Sequence, residues 1–185
     1  MFQIAVVLLA ICVMTLAIPH TKKRTEEKLF RLMIWGLFAC YVYGNAYFTL
    51  LSRVAGTEVQ HSLIPFRTLF RLFTEKPLSS WSDSLQALVS AETTFLAGTN
   101  ASDGLFLNVF LYYPMGYLLP ILFPKIKSKH VILIGCLCAI VTEVTQYFLK
   151  LGLCETDDVI HNTLGTVLGV WVWHIQARRL NIPAE

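Results

Sequence analysis

Val131–Leu149, VILIGCLCAIVTEVTQYFL, decides how this sequence is read. It is predominantly apolar, contains no proline, and carries a single carboxyl or basic side chain, Glu143. As an α-helix rising 1.5 Å per residue, such a run crosses a hydrocarbon core of roughly 30 Å. Lipid offers no partner to backbone N–H and C=O groups, so the segment has to satisfy them internally, and a helix does so. Four further runs resemble it: Phe2–Ile18, Leu29–Leu51, Leu105–Phe123 and Val159–Ile175. The first lacks a basic leader and a clear small-residue cleavage site, so it is expected to be a retained span rather than a signal peptide. The sequence therefore predicts an all-α, polytopic membrane bundle of about five transmembrane helices, forming one membrane domain over residues 1–185.

Composition agrees. Of 185 residues, 55% are hydrophobic and 15% charged, with a mean hydropathy of +0.58. A soluble domain usually carries about a quarter charged residues, so this chain has too few to coat its apolar side chains. The formal charge of +3 is small and its cations fall in short clusters between apolar runs, which is no nucleic-acid footprint. Of five cysteines, Cys12, Cys40, Cys136 and Cys138 lie within apolar runs, where cysteine acts as a small hydrophobe, and Cys154 lies between runs. Cys136 and Cys138 are spaced wrongly for a CxxC pair.

The basic residues set an orientation. Lys22, Lys23, Arg24, Lys28 and Arg31 follow the first run, Lys125, Lys127 and Lys129 separate the third from the fourth, and Arg178 and Arg179 end the fifth. With five spans these ten of fifteen cations share one side, which the positive-inside rule places in the cytoplasm. The amino terminus is then outside and the carboxyl terminus inside.

The long connection, 52–104, is expected on the outer side. After Pro65, the residues Phe66, Leu69, Phe70 and Phe73 recur at helical spacing while Arg67 and Arg71 share another face. That pattern predicts an amphipathic helix lying in the outer interface, followed by a helical stretch over 83–97 and a turn over 98–104.

Ionisable and amide groups inside spans are costly in lipid and need partners or a task. Glu143 is followed at i+3 by Gln146, and Thr142 extends that polar face. Asp158 and Asn162 stand four apart at the start of the fifth run, with Gly165 and Gly169 continuing the stripe. Small residues at that interval let another helix approach closely. Asn108 opens the third run, with Tyr112 and Gly116 below it and Pro114 and Pro120 within it. The topology brings Arg67, Asn108, Glu143, Gln146, Asp158 and Asn162 toward one depth, in a pocket facing the outer leaflet. Blander readings exist: Glu143 and Asn108 as helix-to-helix glue, and Asp157 and Asp158 as acidic capping of a helix start.

These same residues carry a resemblance. Leu63–Thr68 (LIPFRT), Asn108–Gly116 (NVFLYYPMG), Glu143–Gln146 (EVTQ) and Asp157–Gly165 (DDVIHNTLG) occur in the order seen in VanZ-like proteins, the membrane proteins associated with low-level teicoplanin resistance. The signature covers about residues 60–170, with 1–28 contributing a first span and its basic loop. The resemblance implies Pro65, Phe66, Asn108, Pro114, Gly116, Glu143, Gln146, Asp158, Asn162 and Gly165 as signature positions. It also implies an arginine soon after the glycine that precedes the acidic stretch, where this chain reads Gly152–Leu153–Cys154–Glu155. A partner for Glu143 or Asp158 is then expected from Arg67, Lys150 or a proton.

Three kinds of function fit. The first is a non-enzymatic envelope factor that binds a lipid, a lipid-linked cell-wall precursor or a glycopeptide-related ligand, with Arg67 suited to phosphate. The second is a membrane enzyme acting on a lipid headgroup or lipid-linked sugar, with Glu143 as acid or base and Asp158 as a second carboxylate or a metal ligand. The third is a small transporter or a structural partner in the bilayer. Against the enzyme reading, no HExxH, Gly-x-Ser-x-Gly or paired His/Cys spacing is present. No metal or cofactor is expected.

Overall fold

The computed structural model describes residues 27–56, 60–66 and 101–179, with side chains placed for 30–56, 62–66 and 106–179. The expected first span, the amphipathic helix with Arg67 and Arg71 beyond Phe66, and residues 83–100 lie outside the described residues, while the turn expected over 98–104 is corrected at its end, since Ala101 already begins a helix.

Helix α1 (Glu27–Ala46) continues into a π-helical turn at Tyr47–Leu51. Strand β1 (Gln60–Ser62) follows, then helix α2 (Ala101–Leu122), helix α3 (Ser128–Leu149), strand β2 (Leu153–Glu155) and helix α4 (Thr156–Arg179). The four apolar runs within the described residues are thus all helical, and α2 runs through both Pro114 and Pro120. By length and composition, two helices among the described residues suffice to cross a membrane, Phe30–Leu51 and Ser128–Leu149, while Phe106–Leu122 is apolar but shorter. The count of five is therefore not carried by the described helices. Helix α4 covers the expected fifth run, yet its first turns are polar.

Helix α3 shows how the bundle faces its surroundings. Leu133, Leu137, Val141, Val144 and Phe148 form an exposed stripe. Its opposite stripe, Val131, Gly135, Ala139, Glu143 and Gln146, is buried. A helix on a soluble protein turns its charges outward and its apolar stripe inward. Here the outward stripe is aliphatic and aromatic, and the inward one is small or polar, the distribution that hydrocarbon surroundings require.

Helices α2 and α4 pack with backbones almost touching. A Cβ added at Gly165 would run into the Val109 carbonyl, one at Gly169 into the Tyr113 carbonyl, and one at Gly116 into the Thr166 carbonyl. The expected small-residue stripe is therefore a helix contact, and its partner is α2. Gly135 of α3 accepts the Thr166 side chain in the same way. Tyr41, Leu111, Tyr112, Met115, Leu119, Val131, Ala139 and Val170 fill one apolar cluster, and Ile34, Tyr113, Tyr117 and Leu118 a second.

A sheet was not expected, yet β1 and β2 form a short parallel ribbon, with Gln60 opposite Leu153, His61 opposite Cys154 and Ser62 opposite Glu155. Three-residue strands carry no alternating pattern that a sequence could display. The α3 terminus explains how the chain reaches the ribbon. Lys150 caps α3 in the left-handed conformation (φ 56°), and its N–H bonds back to Gln146 and Tyr147. Gly152 then takes φ 149°, and the chain turns into β2. Gly56 donates to the Lys150 carbonyl at 2.7 Å, which brings the segment after α1 alongside.

Candidate functional site

The packing sets a register. Gly135 faces Thr166. Stepping one helical turn at a time in opposite directions along α3 and α4 puts Ala139 level with Asn162 and Glu143 level with Asp158. The electrostatic coupling of Glu143 to Asp158 agrees with that register. The polar stripes expected separately on two runs are one seam, at the end where α3 finishes and α4 begins.

Each side chain on the seam has a definite position. Glu143 is buried, and its Oε2 accepts the Glu155 N–H at 3.0 Å. Gln146, buried one turn further on, donates from Nε2 to the Thr49 carbonyl at 3.1 Å. Thr49 lies in the π-helical turn of α1, whose widened pattern is closed by Ser52 N–H donating to Tyr47 O at 2.8 Å. Such turns cluster at functional sites, and this one presents a main-chain carbonyl to the seam. Tyr112 of α2 reaches α3 through its hydroxyl, 3.2 Å from Thr142 Oγ1. Asp157, His161 and Asn162 are also buried.

Glu143, Gln146, Asp158 and Asn162 are thus brought together. Asn108 is half-buried on α2, next to the Val109 that faces Gly165, and among the described residues no hydrogen bond joins it to them. Arg67 lies outside the described residues. Phe66, the signature residue before it, has φ 60°, a left-handed backbone in a non-glycine residue. The ribbon sets this turn close to the seam, because Ser62 pairs with the same Glu155 that Glu143 holds.

Of the partners expected for these carboxyls, Arg67 lies outside the described residues, and Arg53 is a further cation at this end of the bundle. Its charge acts on both Glu143 and Asp158. Its Nη1 lies 3.5 Å from the Leu151 carbonyl and fills the space a side chain at Gly152 would take. No local sequence signal marks Arg53, which stands at the end of an apolar run, where an arginine needs no special explanation. Glu155 and Thr49 were missed for another reason: they contribute main-chain groups, which side-chain identity does not reveal.

Cys154 reports the electrostatics of this end. Burial pushes its thiol above the ordinary cysteine value, and the charges of Glu143, Asp158 and Glu155 push it the same way. Among the described residues no three His, Cys, Asp or Glu side chains group as a metal site would require. At the opposite end of α4, Ser128 Oγ lies 2.7 Å from His174 Nε2 and the Tyr117 hydroxyl donates to Gln176 Oε1. These bonds tie α2 and α3 to α4 beside the basic residues Lys125, Lys127, Arg178 and Arg179.

A helical bundle with an aliphatic exterior and a buried polar seam at one end is a membrane protein, and its seam is the feature to explain. The chain belongs to the VanZ/LLP1 family, whose model matches residues 5–177. Neither a curated protein nor a solved structure matches it.

Proposed function

We propose that this protein is a VanZ-like factor of the cell envelope that binds a lipid or a lipid-linked cell-wall intermediate at the seam between α3 and α4, and that it thereby modulates susceptibility to glycopeptides such as teicoplanin. The observation that carries the reading is the Glu143 carboxylate, buried beside Gln146 and Asp158 and held in place by the Glu155 amide. A buried, oriented carboxylate at one end of an apolar bundle is costly to maintain and positioned to receive a polar headgroup whose chains stay in lipid. Lys125, Lys127, Lys129, Arg178 and Arg179 gather at the other end, so by the positive-inside rule the seam faces the outer leaflet of the plasma membrane, with the amino terminus outside in the five-span reading.

The test is photo-crosslinking with a lipid-linked precursor analogue, combined with a glycopeptide susceptibility assay of Glu143→Ala and Asp158→Ala at verified abundance. Labelling of the α3–α4 peptides that disappears in both variants, with altered susceptibility, supports the reading. Labelling indifferent to both substitutions removes it.

A further inference from the structure

Two buried oxygens on the seam lack a donor among the described residues: Gln146 Oε1 and Asn162 Oδ1, each on a residue only 2% exposed. The Gln146 amide nitrogen is committed to the Thr49 carbonyl, which fixes its oxygen as the acceptor left over. Native structures rarely leave buried acceptors unpaired, and those that persist call for an explanation. Both oxygens stand one turn from a carboxylate, Gln146 beside Glu143 and Asn162 beside Asp158. Within the described residues the seam is therefore rich in acceptors and holds two carboxyl groups, Glu143 and Asp158, whereas Arg53 is exposed at the rim.

The two imbalances share one remedy. A hydroxyl would bring a single donor and no charge, and a phosphate would meet only acceptors. An ammonium group brings three donors and a positive charge together. We infer that the seam takes a primary ammonium group, and that Arg53 receives the phosphate of the same headgroup at the rim. The ligand class is an amino-phosphate, supplied by a lipid headgroup or by a soluble compound of the same chemistry. This inference rests on the headgroup-binding reading given above and narrows it.

The experiment uses the full chain in nanodiscs and three photoreactive lipids with identical acyl chains: phosphatidylethanolamine, its N-acetylated form and phosphatidylglycerol. Soluble phosphoethanolamine serves as competitor. Phosphatidylethanolamine is expected to label the seam with an affinity about tenfold or more above the other two, the worth of one good charge-assisted contact. Glu143→Gln and Asn162→Leu should each remove that preference, with thermal unfolding confirming that both variants fold. Competition by phosphoethanolamine assigns the ligand to a soluble source. Selective labelling that resists competition assigns it to the membrane. Equal labelling by all three lipids overturns the ammonium assignment while leaving lipid binding in place, and a preference that survives in folded Asn162→Leu overturns it as well. No labelling by any lipid removes both readings.

Discussion

The Glu155 N–H donates to Glu143 Oε2 across 3.0 Å, so the last residue of β2 is tied to a carboxylate inside α3. This bond separates two roles of Glu143. Glu143→Gln keeps an oxygen for the amide, whereas Glu143→Ala leaves the amide without its acceptor. The alanine variant should lose roughly 1–3 kcal/mol of stability, the cost of an unsatisfied buried donor, and the glutamine variant much less. Thermal unfolding in detergent measures the difference, and equal losses would mean that the bond contributes nothing.

The α2–α4 contact predicts a contrast among glycines. Gly165→Val and Gly169→Val would drive a side chain into the Val109 and Tyr113 carbonyls, forcing the helices apart. Each should destabilise by about 1–3 kcal/mol or more, as overpacking does, and lower the abundance of the protein. Gly36→Ala meets nothing within 4 Å and replaces a glycine inside α1. It should be neutral or stabilise by up to about 1 kcal/mol. Membrane-fraction abundance and unfolding midpoint of the three variants decide the matter.

Phe66 and Lys150 both hold left-handed backbone, at φ 60° and 56°. A residue with a Cβ gives up roughly 1–2 kcal/mol there, and glycine largely escapes this. Lys150→Gly, at the end of α3, should therefore raise the unfolding midpoint. Phe66→Ile, a β-branched residue in the same conformation, should lower it relative to Phe66→Gly.

The pH dependence of Cys154 follows from its surroundings. A raised thiol value means less thiolate at any given pH, so alkylation should set in at higher pH than for an ordinary cysteine. Glu143→Gln and Asp158→Asn remove negative charge and should bring the onset back down. The measurement is the alkylation rate against pH in a variant whose only cysteine is Cys154. An unchanged profile in both charge variants would contradict the electrostatic coupling.

The proposed orientation has its own test. Cysteines introduced at Val54, which is exposed at the seam end, and at Lys127, in a chain otherwise free of cysteine, should behave oppositely toward an impermeant thiol reagent on intact cells. Val54→Cys should react, and Lys127→Cys should react only after permeabilisation. The reverse pattern would turn the seam toward the cytoplasm.

Much of this was legible in the sequence because bilayer constraints act on short stretches. An apolar run such as Val131–Leu149 has few conformations open to it, and the described helices fall where those runs fall. The Gly165 and Gly169 stripe was legible because helical period and residue size suffice to reveal a close contact. The ribbon was not, since pairing His61 with Cys154 depends on two short segments far apart in the chain. Arg53 was not legible either, because its importance comes from the turn at Gly152 over which it lies. The seam combined both situations: Glu143 and Gln146 stood out by their cost in lipid, while Thr49 and Glu155 contribute only main-chain atoms.

The β1–β2 pairing also bears on how the protein is made. The segment before the LIPFRT block leaves the ribosome well before β2 does, so its strand edge has no partner during most of translation. Helices can enter the bilayer one after another, but the ribbon closes only once α3 is in place and Leu153–Glu155 has been synthesised. The amide that holds Glu143 arrives at that same late moment. A chain stopped after α3 would therefore insert with its carboxylate unanchored, and the seam can assemble only once the segment through Asn162 has been made.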